Sequence, residues 1–150
     1  MILRRVYLLI FILILVPAFL DAQVYEHAAG VRAGYSSGFT YKGFLKHSTG
    51  AVEIDAYYNN HGLNLTALYA QHYVPFRSKR WMIYAGGGLF GGEWEEELSL
   101  GISAVGGIEF VVRDLPLNFG LDWKPMLNVY RIYGIDLLDF GISLRYRFKL

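Results

Sequence analysis

The sequence predicts an all-β chain, an eight-stranded antiparallel up-and-down transmembrane β-barrel preceded by a cleaved signal peptide. Three observations carry that expectation. Apolar and polar side chains alternate with period 2 in successive segments. Seventeen glycines and twelve tyrosines against four prolines suit many strands joined by tight turns. No 3.6-residue apolar periodicity persists beyond the N-terminal segment, so a helical chain is disfavoured.

With 150 residues, 54% of them hydrophobic and 17% aromatic, the chain has room for one domain and is not disordered in composition. The absence of cysteine removes disulfides, thiolate zinc sites, thiol nucleophiles and a lipoprotein attachment point. Arg4 and Arg5 precede an apolar run from Val6 to Val16, followed by Pro17 and by Ala22 before Gln23. This is the three-part plan of a secretory signal, predicting export with cleavage after Ala22 and a barrel domain over 23–150. The run is too short for a spanning helix of about 20 residues. Removing residues 1–22 leaves twelve basic and twelve acidic residues. That balance gives no case for a nucleic-acid partner.

Turn residues divide the remainder into strands expected near 28–36, 39–46, 50–58, 63–74, 80–90, 99–113, 117–129 and 138–148. In the first, Ala29, Val31, Ala33 and Tyr35 alternate with Gly30, Arg32, Gly34 and Ser36. The second, at 39–46, is short for a spanning strand. The third sets Val52, Ile54, Ala56 and Tyr58 against Glu53, Asp55 and Tyr57, and the fourth sets Leu63, Leu65, Ala67 and Tyr69 against Asn64, Thr66, Leu68, Ala70 and His72. Gly86, Gly87 and Gly88 leave the faces of the fifth ambiguous and suggest close packing. Ile108, Phe110 and Val112 alternate with Glu109 and Arg113 in the sixth; Leu117, Phe119, Leu121 and Trp123 with Asn118, Asp122 and Lys124 in the seventh. The last reads DFGISLRYRFKL, with Phe140, Ile142, Leu144, Tyr146 and Phe148 on one face and Gly141, Ser143, Arg145 and Arg147 on the other.

Alternation alone does not say which face is inside. A soluble barrel turns its charges to water, whereas a membrane barrel turns its apolar face to lipid. Aromatic residues toward the strand ends, a mixed-sign polar face rich in glycine and segments approaching the about 9 to 11 residues of a tilted spanning strand favour the second. Counting connections back from the last strand brings the first strand in on the same side, as an even-stranded barrel requires.

On these residues the chain resembles the small eight-stranded outer-membrane β-barrel proteins of Gram-negative bacteria, the class that includes OmpX and the membrane domain of OmpA. The resemblance covers nearly the whole chain. It implies that the terminal strand is an assembly signal, with Asp139, Gly141, Leu144, Tyr146 and Phe148 matching its pattern, read by the outer-membrane barrel assembly machinery. Lys149 and Leu150 follow Phe148 where the class commonly ends on the aromatic itself.

Eight strands enclose an interior just wide enough to be filled by side chains or to hold one small ligand. The polar faces predict a lumen ion-pair network of Arg32, Lys42, Glu53, Asp55, Glu109, Asp122, Lys124, Arg145 and Arg147, because buried charges persist only when paired. Glu93, Glu95, Glu96 and Glu97 are a weak cation candidate in the longest expected outer loop; a solvated loop tip is the plainer reading. His27, His47, His61 and His72 show no metal or catalytic spacing. His72, on one face with Asn64 and Thr66, is a candidate base, with a satisfied lumen histidine the plainer reading. No catalytic residue, cofactor or metal is assigned. The expectation is a monomeric outer-membrane protein with a structural, anchoring or docking role, partnered by membrane lipids and by an unknown protein at its surface loops. The rivals are a lipid-modifying enzyme on the same barrel, for which His61 beside an acid and a hydroxyl at the outer rim would speak, and an exported lipocalin-like carrier with an apolar cavity.

Overall fold

The computed structural model describes residues 25–150, so the expected signal segment lies outside the described residues. Ten strands form: β1 (His27–Gly34), β2 (Ser37–Phe44), β3 (Gly50–Asn59), β4 (Gly62–Tyr73), β5 (Trp81–Trp94), β6 (Glu97–Val111), β7 (Leu117–Trp123), β8 (Met126–Asn128), β9 (Gly134–Asp136) and β10 (Phe140–Phe148). β7 with β8, and β9 with β10, each make one interrupted stave, giving a closed eight-stranded antiparallel barrel. β1 closes it against β10, from His27 opposite Phe148 to Gly34 opposite Gly141. Closure pairs both edges that an open sheet would leave free.

The interruption in the last stave has a local cause. Lys124 still donates its backbone N–H to the Asp139 carbonyl at 2.8 Å, and Met126 already pairs with Asp136. Leu137 and Leu138 therefore stand opposite the single residue Pro125, which has no N–H to give. This is a β-bulge. Leu137 and Leu138 both project outward while Asp136 and Asp139 are both buried, and the Trp123 indole donates to the Leu137 carbonyl at 2.7 Å.

The outer loop expected around Glu93 to Glu97 is not a loop. β5 and β6 continue to a two-residue turn in which Glu95 and Glu96 have φ of 52° and 65°, with Trp94 paired to Glu97. Alternation continues past residue 90 because Trp94 turns inward and packs with Tyr57, Phe90 and Met126. β1 and β2 are joined through Tyr35 and Ser36, and β3 and β4 through Asn60 and His61. The remaining connection at that end is 129–133, and at the opposite end, the terminal end where β1 begins and β10 finishes, the connections are 45–49, 74–80 and 112–116. The Gly86–Gly88 run packs as close backbone: a Cβ on Gly86 would lie 1.9 Å from the Tyr69 carbonyl oxygen.

Side chains in the middle of the outer wall are aliphatic and exposed, including Val31, Ile54, Leu65, Leu89, Ile102, Leu121, Ile142 and Leu144. Aromatics gather toward strand ends: Phe39, Tyr58, Tyr73, Trp81, Trp123 and Phe140 are all exposed. Every Lys, Arg, Asp and Glu among the described residues lies inside the barrel or at one of its two ends. The inner face is the reverse, a largely polar centre flanked by two apolar plugs, with a third apolar cluster of Leu68, Ala70, Tyr84 and Val105 beside the central charges. Tyr25, Ala28, Phe44, Ala51, Met82 and Val111 pack at the terminal end, and the Trp94 cluster packs at the other.

Candidate functional site

The centre of the barrel is built from side chains that alternation places inward on strands far apart in sequence. Lys42 on β2 reaches Glu109 on β6 at 2.8 Å and Glu53 on β3 at 3.2 Å. Lys124, in the gap between β7 and β8, reaches Glu53 at 2.5 Å and also pairs with Asp55. Arg145 on β10 lies 3.4 Å from Glu53 and 3.8 Å from Glu109, and donates to the Thr40 hydroxyl. Tyr25 and Asn118 both donate to the second oxygen of Glu109, at 2.5 and 2.7 Å. The Lys42 ammonium sits 3.9 Å from the centre of the Tyr84 ring. Three cations thus meet three carboxylates in a space closed to water, where unpaired charge is costly.

A second cluster lies on the side away from the termini. Arg32 on β1 forks onto Asp122 with two bonds of 2.7 and 3.0 Å, and reaches Asp139 at 2.9 Å and the Ser36 carbonyl at 2.8 Å. Ser36 donates its hydroxyl back to Asp139 at 2.7 Å. A Cβ on Gly141 would lie 2.4 Å from the Arg32 guanidinium carbon, so this glycine makes the space the fork occupies. The gap between the clusters is about 10 Å³, lined by Arg32, Ser36, Asp55, Tyr57, Thr66, Ser103, Lys124, Met126 and Asp139. That is room for about one water.

Eight of the nine residues expected in the network, Arg32, Lys42, Glu53, Asp55, Glu109, Asp122, Lys124 and Arg145, lie buried in these two clusters. Arg147 does not. Being next to last in β10, it reaches the terminal rim, where it donates to the Val112 and Leu115 carbonyls of the 112–116 turn. Asp139, matched only to the terminal-strand pattern, joins the network, because the bulge turns it inward. Of the other residues in that pattern, Leu144 and Tyr146 face outward, and Phe148 stacks on His27 with ring centres 5.6 Å apart. Sequence reasoning missed Tyr25, Thr40 and Asn118 as network members. Thr40 and Asn118 had the right parity but carry no charge, and Tyr25 lies ahead of the first strand.

His72 is buried against Phe44 and Tyr84, with Nε2 3.4 Å from the Lys42 ammonium. Asn64 and Thr66 share its face but bond elsewhere, Thr66 to the Tyr57 hydroxyl and Asn64 to the Gly62 and Glu93 carbonyls. Among the described residues no hydroxyl bonds to His72. The four glutamates of the acidic stretch diverge. Glu93 accepts from the Leu63 amide, Glu95 pairs with His61, Glu97 pairs with Arg131, and Glu96 is exposed. Among the described residues no group of three or more potential ligands converges on a metal position.

His61 forms the most connected feature of the rim away from the termini. Its ring stacks on Trp94 at 3.7 Å and 7°, with Nδ1 3.0 Å from Glu95 and Nε2 3.2 Å from Asp136. It ties three hairpins together across the mouth. Burial and the neighbouring Asp136 push the Tyr35 hydroxyl up to about 12. Both nitrogens of His61 face carboxylates, so neither is free to draw a proton from a hydroxyl, which a catalytic triad requires.

A closed antiparallel barrel with an ion-paired interior and an apolar outer wall is the class of protein that fold and site define. Family models, curated proteins and solved structures give no match to this chain.

Proposed function

We propose that this chain is an integral β-barrel of a bacterial outer membrane with a structural, anchoring or docking role, its lumen closed by the charged network. The observation that carries the reading is the absence of charge from the middle of the outer wall, with aliphatic side chains there and aromatics toward the strand ends. A barrel in water gains nothing from burying its ions and exposing its leucines, whereas one in lipid must do both. An apolar belt around the whole circumference also far exceeds the patches that soluble monomers expose. Membrane lipids are the partners of that wall, and the outward residues of β10 are accessible to assembly machinery during biogenesis. Docking, on this reading, uses the tight turns through Tyr35–Ser36, Asn60–His61 and Glu95–Glu96 together with the 129–133 connection. The gap between the two lumen clusters is lined by charged side chains and measures about 10 Å³, which argues against an apolar carrier. His61 stands beside acids at the rim, as the hydrolytic alternative asks, but both its nitrogens face carboxylates and no hydroxyl bonds to it among the described residues, so half of that alternative's condition is met.

Fractionation of cells expressing the protein, with unheated and boiled samples compared on a detergent gel, tests the reading. An outer-membrane location with a heat-dependent mobility shift is expected. A soluble periplasmic protein without the shift would overturn it.

A further inference from the structure

The charges outside the lumen are sorted by end. Among the described residues, Lys46, Arg77, Lys79, Arg80, Arg113, Arg147 and Lys149 lie at the terminal rim with only Glu26 and Asp114, while Glu93, Glu95, Glu96, Glu97 and Asp136 lie at the other with only Arg131. Each of the three connections on the basic side also holds out an apolar side chain beside its cation. Leu45 precedes Lys46, Phe76 precedes Arg77, and Leu115 follows Arg113 and Asp114; the three are 46%, 62% and 54% exposed. At the acidic rim the three two-residue turns carry no such pair, and the 129–133 connection sets the exposed Val129 and Tyr130 beside Arg131, the single cation there among the described residues. Charge alone would suit any polyanion, but alternating apolar and basic side chains at one level suit a lipid interface, where the apolar part dips below the phosphates and the cation meets them. The exposed rings of Tyr73 and Trp81 flank the 74–80 turn at the same end.

Resting on the membrane reading above, we propose that the terminal rim is a docking surface for anionic phospholipid headgroups, gripped by the 45–49, 74–80 and 112–116 turns. The rim selects lipid by charge and anchors the barrel at a fixed depth. The acidic rim repels the same headgroups, so the two ends favour one orientation in an asymmetric bilayer.

The test places the folded protein in nanodiscs containing equal phosphatidylglycerol and phosphatidylcholine, then releases it into mild detergent and counts retained lipids by native mass spectrometry. Retention of phosphatidylglycerol is expected to exceed that of phosphatidylcholine by about fivefold or more at low salt, and to fall toward parity at high salt. Arg77→Ser, Lys79→Ser and Arg80→Ser combined should give the same fall without salt. Should that variant misfold, Lys46→Ser with Arg113→Ser probes the other two turns. Equal retention of both lipids by the unaltered protein would overturn the proposal, as would preference unchanged by either variant. The heat-dependent gel shift of the same sample separates the two readings: a shift without lipid preference sinks the headgroup site alone, and no shift sinks the membrane reading with it.

Discussion

The two faces of β10 make the sharpest contrast in the molecule. Inward, Arg145 is fully buried and touches Thr40, Glu53 and Glu109 on three other strands; outward, Phe140 is 55% exposed. The usual equation of core with apolar side chains is reversed. Position is fixed inside by directional ionic contacts that few substitutes reproduce, whereas the outer face asks only for an apolar surface. Tolerance to substitution should therefore follow the face and not the hydrophobicity of the residue.

The largest expected effect breaks the inner side. Arg145→Leu leaves Glu53 and Glu109 short of a partner in a closed interior, which should cost about 3–5 kcal/mol. Phe140→Leu keeps an apolar side chain on the outer wall and should cost less than about 1 kcal/mol. Urea unfolding of the refolded barrel, followed by heat-dependent gel migration, compares the two. Equal, small losses would mean that the faces are wrongly assigned.

Charging the outer wall tests the same contrast from the other side. Leu121 is 56% exposed and lies mid-strand, so Leu121→Arg should cost about 2–4 kcal/mol in a bilayer. In a soluble barrel the same change at an exposed position would cost about 0.5 kcal/mol or less. Measuring the variant in lipid vesicles reads which environment the wall was built for.

Much of this contrast was legible in the sequence because parity is all it needs. Once Lys42, Glu53, Glu109 and Arg145 are placed on one face of their strands, an eight-stranded closure brings them within reach of one another. Parity failed where the period itself breaks. The run Asp136-Leu137-Leu138-Asp139 has two adjacent apolar residues between acids, and only the missing N–H of Pro125, a dozen residues earlier, turns both acids inward. The acidic stretch misled for a different reason. Charge around Trp94 suggested a loop, but burial of the indole against Tyr57 and Phe90 extends the hairpin by a turn that local composition disfavours. Arg147 has the parity of a lumen residue and lies too near the strand end to use it. Which end of the barrel each turn occupies was readable by counting; that each connection on the basic side holds out an apolar side chain needed the exposures.

The hairpin tip supplies a smaller effect of opposite sign. Glu95 and Glu96 both hold left-handed backbone, which costs about 1–2 kcal/mol per non-glycine residue. Glu95 is tied to His61, but Glu96 has no such bond and is free to change. Glu96→Gly should stabilise the barrel by about 1 kcal/mol, seen as a higher urea midpoint with an unaltered gel shift. A lower midpoint would show that the turn does not have this geometry.

The smallest effect comes from an ion pair with good geometry in the wrong place. Arg131 and Glu97 approach to 3.0 Å, closer than Arg145 and Glu53 at 3.4 Å, but their side chains are 57% and 51% exposed. Water already solvates both groups, so forming the pair releases little, and salt screens what remains. Glu97→Gln should leave the urea midpoint unchanged within error, at low and high salt alike. If distance alone governed these pairs, it would be the more damaging of the two charge removals; if burial governs, Arg145→Leu is damaging and Glu97→Gln is silent. The comparison between rim and lumen separates the strength of a contact from the cost of losing it.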